Sequence, residues 1–172
     1  PTGEISATAG VGTDGGSFGF GIKENNFLGN GIRLDSNISI SSETLKGKFS
    51  VTNPNINNTD KSFYLSAEAL ETNNLSTTGY KTNKTGIGLG TNFEYLDDLF
   101  LGLGSTNFYE SIETNSSAST RQKAQAGNYW DTMLNIDLNL DKRNQKFQTS
   151  SGYRSFYSLD LPVISDTYTV KN

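Results

Sequence analysis

The 172-residue sequence predicts an all-β protein: part of an antiparallel up-and-down transmembrane β-barrel, with nine strands and the edge of a tenth. Three observations predict it. Apolar and polar residues alternate with a period of two in one segment after another, which puts each set on its own face of a strand. The polar set is made of Gly, Ser, Thr and Asn with scattered charges, the composition of a water-filled lumen. Mean hydropathy is only -0.51 although 11% of residues are aromatic. Disordered chains lack aromatic and β-branched residues, whereas a barrel needs apolar side chains at only every second position.

The elements follow in order. In the first strand, Glu4 to Gly12, Ile5, Ala7, Ala9 and Val11 alternate with Glu4, Ser6, Thr8 and Gly10. Phe18, Phe20 and Ile22 alternate with Gly and Ser in the second. Ile32, Leu34, Ile38 and Ile40 oppose Arg33, Asp35, Asn37 and Ser39 in the third, and Leu45, Phe49 and Val51 oppose Lys46, Lys48 and Ser50 in the fourth. Phe63, Leu65, Ala67 and Ala69 mark the fifth strand, and Thr85, Ile87, Leu89 and Phe93 the sixth. Leu99, Leu101 and Leu103 mark the seventh. The eighth, Trp130 to Asp141, is the clearest: Thr132, Leu134, Ile136, Leu138 and Leu140 on one parity, Asp131, Met133, Asn135, Asp137, Asn139 and Asp141 on the other. Tyr153, Tyr157, Leu159 and Leu161 make the ninth, and a tenth begins near Thr167. No segment reads as a helix. Strands of about 9–11 residues suit a tilted bilayer crossing.

Two kinds of connection alternate along the chain, as up-and-down topology requires. Asn25–Asn30, Thr52–Lys61, Leu96–Asp98 and Asp141–Gly152 are rich in turn residues. Asp14–Gly16, Ser41–Glu43, Asn73–Tyr80 and Glu110–Gly127 are strongly polar, and the last is expected to be the longest, a surface loop. Tyr95, Tyr109, Tyr129, Trp130, Tyr153 and Tyr157 lie near strand ends and are expected on the apolar face, as the aromatic girdles of a membrane barrel. A soluble β-sandwich also shows one apolar face per strand. By pattern that alternative stays open, with the small, charged polar face favouring the barrel.

Composition excludes several function classes. Without Cys there is no disulfide or thiol chemistry, and without His there is no His general base. Zinc and copper sites of the usual kinds lose their ligands. The net charge of -4, with no basic block, gives no footing for nucleic acid. Nothing calls for a cofactor or for catalysis. No apolar run reaches the ~18 residues of a transmembrane helix. The chain opens on Pro1-Thr2-Gly3 without a charged-then-apolar leader, and so reads as an internal fragment or a processed chain.

Four segments carry a family resemblance. Thr2-Gly3-Glu4-Ile5-Ser6-Ala7 through Gly12-Thr13-Asp14-Gly15-Gly16 is similar to a first barrel hairpin. Lys23 to Gly31, with Asn26, Phe27, Leu28 and Gly29, resembles the turn after the second strand. Ser50-Val51-Thr52-Asn53-Pro54 resembles the turn after the fourth. Leu140-Asp141-Lys142-Arg143-Asn144, followed by Phe147, Thr149 and Gly152, resembles an Asp-x-Arg-Asp, Phe-Pro-Thr-x-Gly segment, with Asn144 in place of Asp and Gln148 in place of Pro. Together, in this order, they resemble the BamA family of outer-membrane protein assembly factors over nearly the whole chain. The family's periplasmic POTRA domains and its later Val-Arg-Gly-Phe/Tyr loop motif are not among these residues. Residues 1–172 would then be the N-terminal part of a sixteen-stranded barrel domain in the bacterial outer membrane.

The resemblance implies a function. Such a protein folds and inserts other outer-membrane barrels through a lateral gate formed by its first strand and its last. Here the gate strand would be Glu4, Ile5, Ser6, Ala7, Thr8, Ala9, Gly10, Val11 and Gly12, acting through its backbone. Its implied partners are unfolded outer-membrane clients, Bam-type lipoproteins and membrane lipid. Read as residues alone, small side chains there also simply fit a crowded wall. Asn26 to Gly29 would make a tight periplasmic turn, either around a buried Phe27 or as a contact for periplasmic domains or lipoproteins. Asp141 and Arg143 are placed to pair at the periplasmic rim or in the lumen. A TamA-like or two-partner-secretion translocation barrel, or a plain porin or adhesin barrel, are the competing functions.

Overall fold

The computed structural model describes residues 2–12 and 15–166. Nine strands form one sheet in strict sequence order: β1 (Gly3–Gly12), β2 (Gly15–Phe27), β3 (Ile32–Ser41), β4 (Thr44–Asn53), β5 (Ser62–Asn74), β6 (Tyr80–Leu96), β7 (Leu99–Thr114), β8 (Gly127–Asp141) and β9 (Arg154–Ser165). Every neighbouring pair is antiparallel. The meander is open within the described residues, and β1 and β9 are its two margins. The tenth strand expected near Thr167 lies outside the described residues.

The register keeps the two residue sets on separate faces. Leu138 pairs with Leu101 and Tyr157, Ile136 with Leu103 and Leu159, and Leu134 with Ser105 and Leu161. One step along, Asp137 pairs with Gly102 and Ser158, and Asn135 with Gly104 and Asp160. Because the side-chain period is two, a slip of one residue would exchange the faces wholesale, so the alternation excludes every odd shift of register. The apolar face has nothing packed on it: Ile87 is 54% exposed while the neighbouring Gly86, Gly88 and Gly90 are buried. Sheets in water cover such a face; a membrane barrel turns it to lipid.

Several expectations need correction. β6, β7 and β8 have 17, 16 and 15 residues, well beyond the expected length. Their far ends carry polar residues on both parities, such as Asn83, Ser111 and Asn128. Backbone pairing continues there, but no alternation reveals it. As β7 runs to Thr114, the expected long loop from Glu110 shrinks to residues 115–126, as many as in the 142–153 connection.

That loop also holds a helix, α1 (Thr120–Ala124), where none was expected. Ser119 accepts from the Gln122 backbone N–H while the Gln122 side chain accepts from the Ser119 N–H. This reciprocal box satisfies two N-terminal donors and lets so short a helix form. A single 3-10 turn, Ile56–Asn58, lies in the β4–β5 connection. Tyr129 pairs with Glu110 on the polar face, not the apolar one, and its hydroxyl donates to the Gln125 carbonyl at 3.0 Å. Adjacent residues of a strand point oppositely, so Tyr129 and Trp130 cannot share a girdle. The only buried apolar side chains among the described residues, Ile112 and Ala118, sit where this loop folds onto the sheet end.

Candidate functional site

β1 is built from small residues. It pairs with β2 from Gly3–Glu24 to Gly12–Gly15 without a bulge, and all ten of its residues are exposed. Ile5 and Val11 are 73% and 93% exposed. On the polar face its hold on β2 is slight. Thr8 and Ser6 lean over Gly19 and Gly21, where an added Cβ would come within 2.5 Å of Thr8 Oγ1 and 2.7 Å of Ser6 Oγ. Beyond the ladder, Ser17 Oγ donates to the Gly10 carbonyl at a long 3.5 Å, and Asn25 donates backbone and side-chain N–H to the Thr2 carbonyl at 2.9 and 3.1 Å. Cross-strand side-chain pairs are what stabilise a sheet beyond its backbone; on the apolar face Ile5 pairs with Ile22, Ala7 with Phe20 and Ala9 with Phe18, and on the polar face this pair of strands has few.

The wall of β5 to β8 is different. Tyr64 stands directly opposite Gly90; its ring lies where a Gly90 side chain would be, and its hydroxyl is 2.6 Å from the place of a Cβ on Gly104, two strands away. Phe108 covers its partner Gly86 in the same way, with the Lys84 ammonium 4.2 Å from the ring centroid. Beside them Thr106 donates to Asn135, Asn135 to Asp160 at 2.6 Å, and Ser158 to Asp137 at 2.6 Å. Sequence reading missed this packing. Its signal is a polar-face aromatic exactly opposite a glycine, which shows only once the register is known.

The turn residues singled out in the sequence each have a physical job. Asn26 Oδ1 accepts from Gly31 N–H at 2.7 Å and the Asn26 carbonyl accepts from Gly29 N–H at 3.0 Å. Leu28 and Gly29 both adopt positive φ, 57° and 72°. Phe27 is not buried: it is 40% exposed and Leu28 is 77% exposed, so the turn presents two apolar side chains outward. Asn53 Oδ1 accepts from Asn55 N–H at 3.1 Å, an Asx turn around Pro54. Gly152 sits at φ +94°, where a Cβ would collide with the Lys142 carbonyl.

Asp141 and Arg143 do pair, at the end of β8. Nε and Nη2 of Arg143 each donate to a different Asp141 oxygen at 2.7 Å. That bidentate bond raises the already high pKa of the Arg143 guanidinium. These turns line one rim of the sheet. The β1 edge lies on the flank of the sheet, at one end of it, and β9, which abuts Asp141 through Arg154, lies at the other. The predicted residues are thus not gathered into one pocket.

A family model described as the Omp85 superfamily domain matches residues 26–167. The chain belongs to the Omp85 superfamily. Among solved structures, the crystal structure of BamA from Haemophilus ducreyi lacking POTRA domains 1–3 superposes with a TM-score of 0.63 at 20% identity, over 96% of this chain and 35% of that one. The Omp85 chain thus spans about a third of that structure, and its nine strands follow the wall of a BamA barrel. Comparison with curated proteins gives no match. An Omp85 domain of this fold belongs to the bacterial outer membrane, where its apolar face meets lipid and its polar face the lumen.

Proposed function

We propose that this Omp85 domain is the first part of the barrel of an assembly factor that folds and inserts β-barrel proteins into the bacterial outer membrane. Its β1 is the receiving edge. The observation that carries the reading is β1 itself. It is held to β2 by a backbone ladder with little side-chain reinforcement on the polar face. Free N–H and C=O groups along a strand edge template an incoming strand. No covalent chemistry is needed; backbone pairing supplies both the affinity and the geometry.

The exposed pair Phe27 and Leu28 on the β2–β3 turn is the contact we assign to periplasmic domains or partner lipoproteins. Two apolar side chains held outward by a strained turn resist collapse onto the sheet.

The test uses the full-length protein in proteoliposomes. One Cys replaces Thr8 and a second is placed opposite it in the last barrel strand. Oxidation is expected to stop client insertion, and reduction to restore it. Insertion at the normal rate with the two strands locked would exclude a gate at β1 and favour the translocation or porin readings.

A further inference from the structure

At the rim of turns, the β4–β5 connection and the β6–β7 turn enclose an open crook of about 350 Å³. One wall of it is the end of the apolar face. Phe93 pairs with Leu101, and Leu101 with Leu138, so Phe93 belongs to the outward rows that meet lipid. Lys61 stands one residue before β5 and shares the parity of Phe63 and Leu65. Its ammonium is 6.0 Å from the Phe93 ring centroid. The rows beside it, from Phe63 to Leu159 and from Phe93 to Tyr157, carry no charged side chain. Lys61 is therefore a cation at the margin of the lipid-facing surface, with its stem along apolar neighbours. Tyr95 and Leu96 are 63% and 60% exposed and continue that surface to the rim. Aromatic side chains in such a place sit at headgroup level.

The anions of the crook lie past the strand ends. Asp60 comes just before Lys61 in the connection, and Asp97 lies in the turn after β6. Both are exposed, and neither carboxylate has an ion-pair or hydrogen-bond partner among the described residues. The third carboxylate, Glu94, accepts from Asp98 N–H at 2.8 Å. Going outward from the apolar rows, the crook thus presents first a cation and then two unengaged anions. A headgroup whose phosphate is next to the glycerol and whose ammonium lies farther out offers the opposite charges in the same order. A phosphoglycerol headgroup offers the phosphate alone and meets the two carboxylates with a like charge.

We propose that this crook holds the phosphoethanolamine headgroup of a membrane phospholipid. The phosphate lies on Lys61, the ammonium on Asp60 and Asp97, and the acyl chains run along Phe93 and the outward leucines. The site goes beyond the assembly reading and needs only a wall that faces lipid. Exposed ion pairs discriminate modestly, so the preference over phosphoglycerol is about fivefold.

The test is lipid photo-crosslinking on the full-length protein in phosphatidylcholine nanodiscs. Two probes are used at equal mole fraction. Each carries a diazirine at the start of one acyl chain, one under a phosphoethanolamine and one under a phosphoglycerol headgroup. Mass spectrometry of the digested protein locates the label. The phosphoethanolamine probe is expected to label Tyr95 and Leu96 about fivefold more than the phosphoglycerol probe, while Trp130, at the other rim, takes both equally. D60N/D97N should bring the ratio at Tyr95 to one. K61Q should lower labelling there by both probes and leave Trp130 unchanged. Heat-modifiable migration on gels reports that each variant is folded. Equal labelling of Tyr95 by the two probes, or a preference that survives D60N/D97N, would overturn the site. So would K61Q labelling at the parent level. A failure here leaves the gate at β1 standing, because the strand-locking experiment reads that separately.

Discussion

The two flanks of this sheet are built on different principles. On the polar face, β1 and β2 have hydroxyls over glycine and little else besides backbone; from β5 to β9 the same face has tyrosine and phenylalanine over glycine, a cation over a ring, and amide and carboxylate hydrogen bonds. The backbone ladders are alike in kind. What differs is the side-chain layer, and that layer sets how costly it is to open each pair. A wall that must stay closed has aromatic side chains locked across it. On the proposed reading, a strand that exchanges partners keeps its pairing to the backbone, whose hydrogen bonds a client strand could replace one for one. Glycine is abundant in both places, so its meaning depends on what stands opposite.

The sharpest way to break the comparison is to place a side chain on each kind of glycine. Gly86→Val and Gly90→Val would drive a branched carbon into Phe108 and Tyr64, and overpacking of this kind costs about 3 kcal/mol. The urea unfolding midpoint of the full-length protein in detergent should fall accordingly. An unchanged midpoint would show that the aromatic cover contributes nothing.

Gly152→Ala tests the rim rather than the wall. It combines a positive φ with a collision against the Lys142 carbonyl, and strain of this sort costs about 2 kcal/mol. The same unfolding measurement reads it, and a stability equal to the parent would mean the 142–153 connection re-forms around the new methyl group.

Hydrogen exchange compares the flanks directly. Amides of β1 should exchange at least about tenfold faster than those at the centre of β6 and β7, because local opening follows the contacts that must break. Equal protection would contradict an exchangeable first strand.

Asn26→Ala removes the acceptor for Gly31 N–H, and a hydrogen bond of this type contributes about 1 kcal/mol. Its effect should appear as lost affinity for periplasmic partners as well as reduced stability. Loss of stability alone would argue against a docking role for Phe27 and Leu28. At the small end, nothing lies within 4 Å of a Cβ added to Gly12, so Gly12→Ala should change stability by less than about 0.5 kcal/mol. A large loss there would mean β1 is packed in the full barrel far more tightly than the β1–β2 pairing indicates.

Much of this was legible in the sequence by itself. Leu134, Ile136, Leu138 and Leu140 against Asn135, Asp137 and Asn139 determined a strand and its two faces, because a side-chain period of two allows only pairings of one parity to keep carboxylates out of lipid; which of those pairings forms was decided by the ladder. Turn residues with special backbone needs, Asn26, Gly29 and Gly152, were legible too, since few residues tolerate those conformations. The capping pair Ser119 and Gln122 was readable as spaced, although a helix of five residues is too short to show a period of its own. Tertiary structure alone decided the rest. How far β6 to β8 extend was hidden because backbone pairing, not side-chain polarity, holds their outer ends. Which glycines Tyr64 and Phe108 cover, and which have only Thr8, Ser6 and Asn37 over them, depended on residues brought level by the ladder, and no local pattern encodes that juxtaposition.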